Sequence, residues 1–272
     1  PAGPLWQAET DTTLALSLSA EGVVVAGALN LGPGPLRFQS DQSLLGWGSR
    51  LYRGNLLVLP KAGGLQIANE LALEDYLRGV LPAEVSPLWP GEVLKAQAVA
   101  ARTYTIARLG YHRGVGYDLC ASTHCQVYAG AGAEKPATDA AVTATEGQVI
   151  TYGGRLISAY YHASSGGHTE DVESVWTGAS PLAYLRGVPD PAESSPYEQW
   201  RVELDWGAAE SAVAARYPEA GRLLAVNVLG RTAAGRALQV ELVGERGTVR
   251  INGEGSRTDR KSTRLNSSHG II

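Results

Sequence analysis

The chain has 272 residues, 44% of them hydrophobic, and a net charge of −4 at pH 7, enough to bury a core in one large or two modest domains. Its acidic balance and lack of a basic cluster argue against nucleic acid as a partner, and no stretch approaches the ~18 uninterrupted apolar residues of a membrane helix. There is no Met, and the chain begins at Pro1, so a signal or anchor ahead of it is not visible in this sequence.

Residues 1–69 read as a β-rich N-terminal region. Thr13–Leu18 alternates apolar with small or polar residues, Gly22-Val-Val-Val is β-branched, and Gly, Pro and Asn punctuate the rest. Two helices are predicted next, over Leu73–Leu81 and Pro90–Leu109, opening a core region at 70–200. Tyr111 to Thr138 reads as a loop containing both cysteines, Asp139 to Glu146 as a short helix closed by Gly147. Gln148–Tyr152, Gly153-Gly154 and Arg155–Tyr161 read as a hairpin with a tight Gly-Gly turn. Residues 201–258 carry a helix near Ala208–Tyr217 and strands over Val226–Leu229, Leu238–Val243 and Thr248–Ile251. Strands, then helices, then strands predict an α+β fold, mixed and largely antiparallel around two central helices. Asp259–Ile272 resembles a sequencing adapter read through an open frame; it is set apart from fold and function, and the domain is expected to lack its last strands.

In the first helix Leu73, Tyr76, Leu77, Val80 and Leu81 form an i, i+3, i+4, i+7, i+8 stripe. Glu84 continues it at i+11. Pro82 disfavours unbroken helix here, so the carboxylate is expected to leave the helix end and face the next segment. That segment, Val93–Leu109, is rich in alanine. Partial desolvation against it would raise the acid's pKa and keep a proton available. The plainer reading pairs Glu84 with Arg102. Glu74, Asp75 and Glu92 read as first-turn acids favoured at helix N-termini. Gln97 and Tyr104 share a face, with Arg102 a little round from it. Packing and a surface ion pair are their bland roles, and binding of sugar hydroxyls and ring faces the sharper one. Tyr161-His162 followed by Ser164, Ser165, Gly166 and Gly167 is either a capped turn or a loop whose small residues let a glycan approach. Trp89, Trp176 and Tyr184 are core or stacking aromatics.

Cys120, His124 and Cys125 lie within six residues. They suit zinc, with His112 the favoured fourth ligand over His162 or His168; a disulfide and a pair of reduced thiols also remain open.

Four segments in order carry a resemblance: Leu73-Glu-Asp-Tyr-Leu with Glu84; Leu94-Lys-Ala-Gln-Ala-Val-Ala-Ala-Arg-Thr-Tyr104; Tyr117-Asp-Leu-Cys-Ala-Ser-Thr-His-Cys-Gln-Val-Tyr128; and Tyr161-His-Ala-Ser-Ser-Gly-Gly-His-Thr-Glu170 with Trp176. Together, over about Leu65 to Trp200, they resemble the stage II sporulation protein D or amidase-enhancer family (SpoIID/LytB). The resemblance implies a secreted or envelope-facing protein, a lytic transglycosylase that cuts peptidoglycan strands already stripped of stem peptides by a partner amidase. It places the family's proposed catalytic acid on Glu84. It implies no cofactor for the chemistry, and some members carry the Cys-His pattern with zinc as a structural element. A second reading is a non-catalytic cell-wall module that stimulates an N-acetylmuramoyl-L-alanine amidase.

Overall fold

A computed structural model of the protein describes residues 12–252 apart from 42–43, 163, 177, 192–202 and 204. The expectation about Asp259–Ile272 lies outside the described residues. The chain divides into two units, Pro1–Tyr160 and Tyr161–Ile272.

The first unit opens with short strands β1 (Leu16–Leu18), β2 (Val24–Ala26), β3 (Leu29–Gly32), β4 (Leu36–Phe38), β5 (Leu45–Trp47) and β6 (Arg50–Tyr52), then two longer ones, β7 (Asn55–Lys61) and β8 (Gly64–Glu70). They form sheets in the orders β1-β2-β3, β4-β7-β8 and β5-β6. Every strand pairing among the described residues of the protein is antiparallel. Alternation puts Val24, Leu31 and Val58 into one small core, against Leu36, Phe38, Leu65 and Ile67.

Helices α1 (Leu73–Glu84), α2 (Gly91–Ala107) and α3 (Pro136–Ala144) build the second core. Leu77, Val80 and Leu81 of the predicted stripe are fully buried, while Leu73 and Tyr76 pack at its margin. Ala98 and Ala101 of α2 meet them in the same cluster, with Tyr128 and Val142. The alanines let the helix backbones approach.

The expected break at Pro82 does not occur: α1 runs through it to Glu84. Pro82 stands in the last turn, where its missing N–H costs a single helical bond, and the Val85 N–H still reaches Leu81 O at 3.0 Å. The loop expected from Tyr111 holds two short 3₁₀ turns, Arg113–Val115 and Ala131–Ala133, before α3 starts at Pro136, a proline suited to a first helical turn. The hairpin is much shorter than the pattern suggests, β9 (Thr151–Tyr152) with β10 (Arg155–Leu156). Both turn glycines have positive φ, 57° and 77°, as a type I′ turn requires.

In the second unit α4 (Val172–Val175) is a single turn. Helix α5 (Trp206–Arg216) is capped by Asp205, which accepts from the Ala208 N–H at 3.0 Å. Strands β11 (Leu223–Arg231), β12 (Ala237–Gly244) and β13 (Thr248–Asn252) form an antiparallel meander. The fold is α+β.

Candidate functional site

Glu84 is the last residue of α1, half-buried. The Val127 backbone N–H donates to its Oε1 at 3.2 Å, so an extended segment following the cysteines fixes the carboxyl. That segment is itself anchored on α2. Gln126, 1% exposed, accepts the Thr105 hydroxyl at 2.7 Å through Oε1 and donates to Ala101 O through Nε2. Tyr128 packs between Tyr76 and Tyr52 and donates to Asn69 Oδ1 at 2.9 Å.

The neighbouring acids are engaged. Glu74 makes a two-pronged ion pair with Arg102, Nε to Oε1 at 2.8 Å and Nη2 to Oε2 at 2.6 Å. Hydrogen bonds from that guanidinium hold the Glu74 carboxyl below its ordinary range, burial opposing them. Glu92 pairs with Lys95 on the surface at 2.7 Å.

Arg102 departs from both expectations for it. It is not a surface ion pair, the carboxylate it meets is Glu74 rather than Glu84, and at 1% exposure it offers a sugar no face. Besides Glu74, its nitrogens donate to Gln148 O, Val142 O and Thr145 Oγ1. The residue ties α1, α2 and the end of α3 together. Tyr104 is 8% exposed, and burial raises its phenol's pKa. Gln97 is different: its Nε2 is buried with no hydrogen-bond partner among the described residues. Trp89, 48% exposed, is not a core aromatic.

Tyr161 to Gly167 belong to the second unit, where the Ser-Ser-Gly-Gly turn is tightly held. Ser165 is buried and donates to Asp190 Oδ2 at 2.9 Å, the Gly167 N–H returns to Ser165 Oγ, and the Gly166 N–H meets Ser164 Oγ. Gly166 and Gly167 have φ of 65° and 86°, in the left-handed region. Arg236 donates to Ser165 O, His168 O and Glu170 Oε1. Tyr161 is half-buried.

The Cys-His residues converge. One ligand atom from each of His112, Cys120, His124 and Cys125 lies within 4.8 Å of every other, and the two thiols are unbridged. Cys125 Sγ is 3.3 Å from His112 Nε2 and 3.5 Å from His124 Nδ1, and Cys120 Sγ is 3.5 Å from the same Nδ1. Tetrahedral zinc, with bonds of about 2.3 Å to sulfur and about 2.0–2.1 Å to nitrogen, implies ligand edges of about 3.3–3.8 Å. The donor set and its spacing fit that ion. Burial opposes a thiolate at Cys120, but hydrogen bonds from Ser122, Cys125 and His124 outweigh it and bring the thiol down to about 6; burial pushes Cys125 up. His168, the alternative ligand, uses Nδ1 on Thr169 O.

A family profile described as Stage II sporulation protein matches residues 61–152, the stretch from β7 through Glu84, both long helices and the Cys-His cluster to β9. The stage II sporulation protein D of Bacillus subtilis is 30% identical over 208 residues, 65% of this chain and 59% of that protein. Residues 61–152 belong to the SpoIID/LytB family. A protein of Brachyspira hyodysenteriae that carries no functional name is 33% identical over 192 residues, 70% of this chain and 52% of its own length. The amidase enhancer of Bacillus subtilis is 41% identical over 116 residues, 42% of this chain and 16% of the enhancer. The chain thus spans about half the length of the Brachyspira protein and less than two thirds of each of these relatives.

Within this SpoIID/LytB segment the sequence reading missed two features. Val127 acts through its backbone, which leaves no side-chain signal. Arg108 stands among Tyr104, Tyr111 and Tyr160; the helical spacing Tyr104, Arg108, Tyr111 is legible in the sequence as i, i+4, i+7.

Proposed function

We propose that the chain acts on the bacterial cell wall as a peptidoglycan lytic transglycosylase, cleaving peptide-free glycan strands to anhydro-muramic products in the extracytoplasmic space. The observation that supports this most is the Glu84 carboxyl at the end of α1, oriented by the Val127 N–H inside the segment matched to the family. Glu84 protonates the glycosidic oxygen. As a carboxylate it then takes the proton from the muramic acid 6-hydroxyl while that oxygen attacks C1 and closes the anhydro ring. Most glycosidases need a second carboxylate to supply a nucleophile or activate water. An attacking hydroxyl already on the sugar removes that need and gains the advantage of an intramolecular step. Glu74 and Glu92, held by Arg102 and Lys95, fit a one-acid mechanism.

Zinc belongs to this reading as a structural ion held by His112, Cys120, His124 and Cys125; its chemistry is to bind thiolate and imidazole and so close the loop between α2 and Gln126. Gln97 and Tyr104 of the first unit remain proposed contacts to the strand, Arg102 acting through Glu74 instead; Tyr161, Ser164, Ser165, Gly166 and Gly167 of the second unit are proposed glycan contacts in their own right. A second reading, a non-catalytic module that stimulates a cell-wall amidase, is favoured by the 41% identity to a protein named amidase enhancer.

The test is incubation with peptide-free glycan strands and analysis of the released ends. The wild type should give anhydro-muramic products, and Glu84→Gln should bind strands yet release none. Wild-type rates in Glu84→Gln would remove Glu84 from the chemistry. Absence of products from the wild type, with amidase stimulation intact, would put the second reading in its place.

A further inference from the structure

Arg108 is the C-cap residue of α2, half-buried. Its Cζ lies 4.9 Å from the Tyr104 ring centroid, 5.1 Å from that of Tyr111 and 5.7 Å from that of Tyr160. Nη2 donates to Tyr160 Oη at 3.1 Å, and no other nitrogen of the group has a protein acceptor among the described residues. Arg53, Arg102, Arg186 and Arg236 each meet a carboxylate; among the described residues Arg108 meets none. The dipole at the end of α2 accounts for a cation at this position, but an exposed side chain would satisfy it equally well. A half-buried charge without a counter-ion carries a desolvation cost that ring faces offset only in part, and a bound anion would relieve it. Tyr111 is 56% exposed, so the cage is open to solvent.

Arg108 and Glu84 are tied to one segment. Thr105, three residues before Arg108 on α2, donates its hydroxyl to Gln126 Oε1 at 2.7 Å, and Gln126 adjoins Val127, whose N–H holds Glu84 at 3.2 Å. A strand seated on Glu84 would therefore carry its neighbouring sugars past the cage. Muramic acid offers one ionisable group. With a stem peptide attached, the lactyl carboxyl is a neutral amide; once the peptide is removed, it is a carboxylate.

We propose that Arg108, framed by Tyr104, Tyr111 and Tyr160, receives the free lactyl carboxylate of a muramic acid residue and so selects strands from which stem peptides have been removed. A guanidinium matches a carboxylate with two parallel N–H donors. The inference rests on the glycan reading above, and it makes the selection a matter of charge rather than of room for the peptide.

The experiment measures binding, not cleavage, in full-length protein carrying Glu84→Gln. Peptide-free strands are compared with the same strands after their lactyl carboxyls are converted to methylamides, which removes the charge and adds little bulk. The unmodified strands should bind roughly tenfold tighter or more. Adding Arg108→Gln should abolish the difference, and Arg108→Lys should restore part of it. Equal binding of the two strands before any change at Arg108 overturns the inference and leaves the glycan reading standing. Discrimination that survives Arg108→Gln overturns the assignment to this residue. No binding of either strand overturns the glycan reading and the inference with it.

Discussion

Gln97 Nε2 is buried without an acceptor among the described residues, a condition that lowers stability unless a ligand satisfies it. Replacing the amide with the similarly shaped Met removes the unsatisfied donor and should leave stability unchanged or raise it by up to about 1 kcal/mol. If Gln97 donates to a sugar hydroxyl, Gln97→Met should nevertheless weaken binding of peptide-free strands. Urea titration and strand binding on one preparation check both halves; a variant both as stable and as tight as the wild type would assign the residue to packing. Arg102 teaches the opposite lesson at the same scale. Its helical position relative to Gln97 and Tyr104 is legible in the sequence, but its environment is not, because four of its acceptors lie on Glu74, Val142, Thr145 and Gln148. Nothing local to Ala-Ala-Arg-Thr-Tyr announces partners 28 residues before and 40 to 46 residues after it.

The apolar stripe on α1 and the alanines on α2 made both helices readable, since buried periodicity depends on the chain segment itself. Their junction depended on tertiary contacts, as Pro82 shows by sitting inside the last turn. Gly79 illustrates how close the packing is. It lies on the buried face of α1, where a Cβ would stand 2.8 Å from Tyr128 Cδ2, closer still to Cε2, and 3.3 Å from Gly130 O. Helix propensity alone favours alanine by about 1 kcal/mol. Tyr128 has little freedom to yield, because its ring rests on Tyr76 and Tyr52 and its hydroxyl is bonded to Asn69. Overpacking costs about 1–3 kcal/mol, so Gly79→Ala should lower stability by up to about 2 kcal/mol net, against the propensity scale. The same ring precedes the Ala129 N–H bond to Gly79 O at 3.3 Å, and displacing it would shift Val127 beside Glu84. Strand cleavage by Gly79→Ala should therefore fall more than its residual stability explains, which activity and urea titration at 25 °C would separate.

At the scale of the whole molecule, two fixtures hold α2, one within the helix and one beyond its end, and they respond to different agents. Within it, Glu74 is held below its ordinary pKa of 4.5 in the folded state, first by the hydrogen bonds from Arg102. A folded pKa below the unfolded one stabilises fully above the unfolded value and loses that contribution as pH falls through the folded value. The Glu74–Arg102 contribution is thus complete at pH 6 and fades below about 4.5. Glu74→Gln should cost about 2 kcal/mol at pH 7, below the usual range for broken buried pairs because Glu74 is 25% exposed, and its melting temperature should converge on that of the wild type as the pH falls through the lowered pKa of Glu74. Beyond the helix, His112, Cys120, His124 and Cys125 hold the loop through the proposed zinc, and a chelator removes that fixture at neutral pH. The two sets share no residue, and among the described residues no hydrogen bond joins them. At pH 7 their effects should add to within about 0.5 kcal/mol, so chelation should lower the stability of wild type and Glu74→Gln by the same amount. Calorimetry of both proteins with and without chelator measures this. A chelator effect confined to the wild type would mean that the loop and the ion pair are one cooperative structure, and no effect in either would remove zinc from the fold.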